Sequence, residues 1–110
     1  MKHYVIDELR PEDYQKIKSH LDANFSVAGF EGLYWLPLDE EAFEDVQAEH
    51  ADCQPFYFAL ELTPERLACE LLVRTNQRMR CKCIRYATAE QIDWLIRFVD
   101  AMSERLGIIT

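Results

Sequence analysis

Phe56-Tyr57-Phe58-Ala59-Leu60-Glu61-Leu62-Thr63-Pro64-Glu65-Arg66-Leu67-Ala68-Cys69-Glu70-Leu71-Leu72-Val73 is the stretch that decides the fold. Phe56, Phe58, Leu60 and Leu62 alternate with Tyr57, Ala59 and Glu61, the period of two of a strand with one buried face. Thr63-Pro64-Glu65-Arg66 carries turn chemistry, after which Leu67, Cys69, Leu71 and Val73 resume the apolar row. Closing the turn with Leu62 opposite Leu67 sets Leu60 against Cys69 and Phe58 against Leu71. Both apolar rows then share one face, and a slip of one residue would turn one of them to solvent.

A third strand is expected from Met79 to Tyr86. A two-residue loop would set Val73 against Arg80 and drive a charge into the core. An odd loop instead puts Met79, Cys81 and Cys83 on the face of Leu71 and Val73. In its five-residue form Cys83 lies opposite Cys69, and on the outer face Lys82 lies opposite Glu70, an opposite-charge pair that supports the register.

Beyond this sheet the strongest signal is at the C-terminus. Thr88 with Gln91 three residues on has capping-box spacing. Ile92, Leu95, Ile96, Val99, Met102 and Leu106 form a helical stripe, and Gly107 suits the position just past a helix end. Trp94, Phe98 and Ala101 widen the apolar surface, so more than one side of this helix should be covered. Toward the N-terminus, Tyr4–Leu9 reads as a short strand. Pro11, Glu12 and Asp13 read as the first turn of a helix that fades near Asn24. Leu33–Leu36, closed by Pro37, reads as another strand. Asp39 is placed to cap a surface helix with Glu40 and Glu41 in its first turn and a thin stripe of Phe43, Val46 and His50. The order β-α-β-α-β-β-β-α implies one α+β domain, residues 1–110, with a mainly antiparallel sheet and helices packed on one face.

A chain of 110 residues that is 49% hydrophobic can bury a core without metal or disulfide support. A net charge of −8 opposes general binding to nucleic acid or anionic membrane. No apolar run is long enough to span a bilayer and Met1-Lys2-His3 does not lead into a signal-type stretch, so a cytoplasmic location with reduced cysteines is expected.

Catalytic motifs are missing. With glycine only at Gly29, Gly32 and Gly107, no GxGxxG, Walker or GxSxG motif can be written. The helix-start acids sit in water rather than in the dry pocket that splits a catalytic pair. A non-enzyme with no cofactor is the expectation. Cys53, Cys69, Cys81 and Cys83 lack the Cys-x2–4-Cys knuckle of zinc sites, and Cys69, Cys81 and Cys83 fall on one apolar row, so core packing is preferred to a metal site. His3, His20 and His50 are scattered, with His50 the notable one beside Glu49, Asp52 and Cys53.

Charge segregation marks the candidate surfaces. From Glu31 to Pro64 there is no Lys or Arg, and from Arg74 to Arg85 there is no acid. Arg74, Arg80 and Lys82 should share the outer sheet face with Arg78 in the hairpin loop, and Tyr57, Leu72 and Tyr86 add aromatic and apolar area between them. Glu40, Glu41, Glu44, Asp45 and Glu49 make the opposing acidic surface. These features fit a protein partner or a second copy of the chain, with the basic hairpin of one molecule against the acidic segment of the other. Single-stranded nucleic acid on the same hairpin is a lesser alternative, and so is an acidic inhibitor that acts through residues 39–52. No membrane partner is expected.

Overall fold

The computed structural model describes residues 2–27, 31–75 and 83–108. Its elements are β1 (His3–Ile6), α1 (Pro11–Asn24), β2 (Ser26–Val27), β3 (Leu33–Pro37), α2 (Asp45–Glu49), β4 (Tyr57–Leu62), β5 (Leu67–Glu70), β6 (Leu72–Val73), β7 (Arg85–Tyr86) and α3 (Ala89–Leu106). Short 3-10 turns at Glu40–Ala42 and Ala51–Cys53 flank α2. The α+β class with an antiparallel sheet is as expected. Five strands run in the order β1-β5-β4-β3-β2, and β6 and β7 form a separate pair.

The β4–β5 hairpin closes in the expected register, Leu62↔Leu67 and Leu60↔Cys69. The pairing of Phe58 with Leu71 does not form. At Leu71 the chain leaves the ladder, and its N–H donates to Lys2 O at 3.0 Å. Pairing with β4 resumes at Tyr57↔Arg74, which shifts the register by two residues and splits the expected strand into β5 and β6. The other side of β5 is taken by β1, with Tyr4↔Cys69 and Ile6↔Leu67.

The third strand therefore sits elsewhere than expected. Its described part, β7, pairs with β6 as Leu72↔Tyr86 and Val73↔Arg85. The parity is the expected one, but the hairpin closes six residues later along the second strand. Cys83 is not opposite Cys69, and Glu70 faces His3 across the ladder instead of Lys82. Met79, Arg80, Cys81 and Lys82, which carried much of that strand, lie outside the described residues.

Helix α1 begins at Pro11, whose missing N–H costs nothing in a first turn. Arg10 donates two hydrogen bonds to the buried Asp13 carboxylate, at 2.8 and 3.0 Å. Ile17 and Leu21 are fully buried. Helix α3 has both expected ends: Gln91 N donates to Thr88 Oγ1 at 3.1 Å, Thr88 N to Gln91 Oε1 at 3.1 Å, and Gly107 takes the left-handed conformation at φ 69°. Leu95, Val99 and Met102 are buried in one core cluster with Tyr34, Leu36, Phe58 and Leu60 of the sheet. Trp94 stacks between Phe58 and Phe98, and Phe98 meets Phe25 edge-on, so the second apolar strip of α3 is used as well. Each large side chain in this layer contributes about 1.5–3 kcal/mol by leaving water.

The expected middle helix is broken. Asp39 caps only the 3-10 turn, with Glu41 N donating to its Oδ1 at 3.4 Å. The backbone is extended at Phe43 and Glu44, which lets the Phe43 ring meet Phe56 edge-on at 5.0 Å. Helix α2 then restarts for five residues around Gln47, which is fully buried.

Candidate interaction surface and a buried histidine–cysteine cluster

Strand alternation gives the sheet two unlike faces. Tyr34, Leu36, Phe58, Leu60, Leu62, Leu67, Cys69 and Ile6 belong to the core under the helices. Val5, Leu33, Trp35, Tyr57, Ala59, Glu61, Ala68 and Glu70 alternate with them and point the other way. The register Trp35↔Ala59 and Pro37↔Tyr57 brings Trp35 and Tyr57 into ring contact at 5.5 Å. Through the Tyr57↔Arg74 bridge and the Leu72↔Tyr86 pair, this outer face continues onto the second sheet. None of Val5, Leu33, Trp35, Tyr57, Leu72 and Tyr86 is part of the core cluster. Val5 is 38% and Tyr86 52% exposed, while Ala59 and Ala68 are small residues sunk between larger neighbours.

Among the residues singled out in the sequence, Tyr57, Leu72, Arg74 and Tyr86 therefore share one side. Arg78, Arg80 and Lys82 lie outside the described residues. Arg74 is engaged within the face, its Nε donating to Glu70 Oε1 at 2.9 Å. Trp35, Leu33 and Val5 join this surface without having been expected there. The parity of Leu33–Pro37 against 56–62 was the signal that could have found Trp35.

The acidic segment does not stand apart from the basic one. Glu40, Glu41, Asp45 and Glu49 are exposed, but Glu44 turns toward Arg85, whose Nε lies 3.2 Å from Glu44 Oε2, out of line for a hydrogen bond. Gln47 binds the two segments more firmly. Its Nε2 donates to Cys83 O at 3.3 Å, and its Oε1 accepts from Glu44 N at 3.0 Å and from Gln91 Nε2 at 2.8 Å. Gln91 Nε2 also donates to Ala42 O at 2.9 Å. Glu44 and Gln47 of the acidic segment thus meet Arg85 and Cys83 within one chain.

This packing gathers a second group of side chains. His50 ends α2 and opens the 3-10 turn that ends at Cys53, whose N–H donates to His50 O at 3.0 Å. That turn brings His50 Nδ1 and Cys53 Sγ to 3.9 Å. Cys83 arrives from the other side, and the ligand atoms of His50, Cys53 and Cys83 all lie within 4.8 Å of one another. Cys53 is 2% and Cys83 0% exposed, and His50 is half-buried. Thr75 Oγ1 donates to Cys53 O. Cys69 is not part of this group: it lies in the sheet core, and burial pushes its thiol up to about 12. The expectation of core packing thus holds for Cys69, which is fully buried, while Cys83 is buried next to two other donors.

On the core side, Tyr34 OH donates to Asp22 Oδ1, and Lys18 Nζ donates to Asp22 Oδ2 at 2.9 Å. These bonds, Tyr34 first, hold the Asp22 carboxyl below the usual carboxylate range. Burial, and then Asp22, push the Tyr34 phenol up to about 12. Among the described residues, no helix is long and apolar enough to cross a membrane. Comparison with known proteins gives no match, whether to family models, to characterised proteins or to solved structures.

Proposed function

We propose that this chain is a non-catalytic interaction module that pairs with a second copy of itself through the outer face of its sheet. The observation that carries this reading is the side made by Val5, Trp35, Tyr57, Leu72 and Tyr86, none of them in the core cluster, with the buried Ala59 and Ala68 lying between them. Aromatic residues and Arg at the centre of a patch are the composition of protein contacts. The face also holds charges of both signs, Glu61, Glu70 and Arg74, and a twofold arrangement can match such a surface to itself. Nucleic acid fits less well, because Glu61 and Glu70 lie on the same face and Glu70 already engages Arg74.

The sign of the salt effect separates these partners. Two copies each carrying −8 repel at long range, so screening should strengthen their pairing. Binding to a phosphate backbone weakens as salt rises. Sedimentation equilibrium of the wild-type chain and of Trp35→Glu, at low and high salt, tests the reading. A wild-type dimer that tightens with salt, with Trp35→Glu monomeric and equally folded by circular dichroism, is the expected result. A wild-type chain that stays monomeric throughout contradicts it.

A further inference from the structure

We infer that His50, Cys53 and Cys83 form a zinc site that ties the 50–53 turn to the segment entering β7. A His-x2-Cys spacing on one 3-10 turn makes two donors converge, as the Cys-x2-Cys knuckle does in zinc modules. Here that convergence is realised, with His50 Nδ1 and Cys53 Sγ 3.9 Å apart. The third donor comes from a distant part of the chain, as a cross-link between segments requires.

Distances agree with the ion. Zinc–sulfur bonds of about 2.3 Å and zinc–nitrogen bonds of about 2.0 Å set tetrahedral donors about 3.4–3.8 Å apart. The observed donors all lie within 4.8 Å, so closing on an ion requires narrowing these gaps by at most about 1.4 Å. Two sulfurs and an imidazole select a borderline-soft ion over magnesium or calcium, which take oxygen donors. On binding, Cys53 and Cys83 each release a proton to solvent, and their two thiolates balance the charge of the ion while the imidazole stays neutral. A buried site of zero net charge escapes the cost of an uncompensated ion. The three donors among the described residues fill three of the four tetrahedral positions. Cys81 lies outside the described residues and is not counted as a donor.

The surroundings hold these donors as an outer shell should. The Cys83 carbonyl accepts from Gln47, and the Cys53 carbonyl accepts from Thr75. Gln47 is in turn fixed by Gln91 of α3. The polar side chains buried in this region thus converge on the backbone of two proposed ligands. This inference is independent of the self-association proposed above.

The test uses the full chain, reduced and stripped of metal, titrated with Co2+ alone and then with Zn2+. One equivalent of Co2+ should give the visible bands of a tetrahedral ion and a sulfur-to-cobalt charge-transfer band, and Zn2+ should displace it. Cys53→Ser and Cys83→Ser should each weaken Zn2+ binding by at least about tenfold, the lower end of what even an outer-shell change costs. Cys69→Ala should leave the titration unchanged. His50→Gln, at a half-buried position, guards against variants that fail to fold, and it should lose the tetrahedral spectrum while keeping the wild-type circular dichroism. A wild-type chain without the charge-transfer band would overturn the site, and so would a folded His50→Gln that binds as the wild type does.

Discussion

Replacing Gln91 with Met probes the joint between α3 and the acidic segment. Gln91 is 1% exposed. Its Nε2 donates to Ala42 O and Gln47 Oε1, and its Oε1 accepts from Thr88 N. Methionine has similar length and volume, so little cavity opens, and its helix propensity is close to that of glutamine. The loss is then three hydrogen bonds. At about 1 kcal/mol net for each, Gln91→Met should cost about 3 kcal/mol, a large share of the roughly 5–15 kcal/mol that holds a domain of this kind folded. Gln47→Met removes the same shared bond, together with those to Cys83 O and from Glu44 N. The double variant should therefore be less destabilised than the sum of the singles, by about 1 kcal/mol. Urea unfolding followed by tryptophan fluorescence measures all four proteins, with a common slope as the check that only stability has changed. A Gln91→Met variant within about 0.5 kcal/mol of the wild type, the scatter of ordinary surface changes, would refute the joint. Strict additivity of the two changes would refute the direct Gln47–Gln91 bond.

Three further outcomes follow from the same geometry. Gly32 sits at φ 87°, and a Cβ there would lie 2.7 Å from Leu62 O. Gly32→Ala should cost at least the roughly 1–2 kcal/mol of a left-handed non-glycine residue, and an unchanged thermal midpoint would contradict this. Ser103 Oγ is buried without a hydrogen-bond partner among the described residues. Ser103→Ala should stabilise by about 1 kcal/mol, and a loss of stability would show that the hydroxyl is satisfied. Asp22 has its folded pKa lowered, so its contribution is present above the unfolded value of about 4 and fades as pH falls through the lowered one. The gap in thermal midpoint between wild type and Asp22→Asn should narrow below about pH 4, and a constant gap would contradict the Asp22 linkage. The raised Tyr34 acts at the other limb, with its contribution complete below about pH 10 and lost as pH rises through the folded value of about 12.

Elements whose signals are local were legible in the sequence. Thr88, Gln91 and Gly107 carry the chemistry of both ends of α3, and Pro11 with two acids marks the start of α1. Leu62 and Leu67 close a hairpin whose parity needs no knowledge of the rest. Legibility ended where a distant segment competed. The edge of β5 that the third strand was expected to fill is taken by His3–Ile6, more than sixty residues away in the chain, and nothing in residues 56–86 encodes that. The middle helix failed for another reason. Its acids resemble a helix start, but the residue that organises the segment is Gln47, a polar side chain whose burial depends on Gln91 and Cys83. For the candidate sites, alternation located Tyr57, Leu72 and Arg74 on the outer face. The convergence of His50 and Cys53 on Cys83 needed the tertiary path. The His-x2-Cys spacing of His50 and Cys53 was its local sign, and the approach of Cys83 had none.

Under the proposed self-association, the sheet face turned away from the helices meets another copy of the chain. Amide chemical shifts recorded as the concentration of the chain is raised report on that contact residue by residue. Pairing through this face should give shifts confined to the strands that carry Val5, Trp35, Tyr57, Ala59, Leu72 and Tyr86. Spectra that do not change with concentration, or changes centred on the exposed sides of α1 and α3, would contradict it.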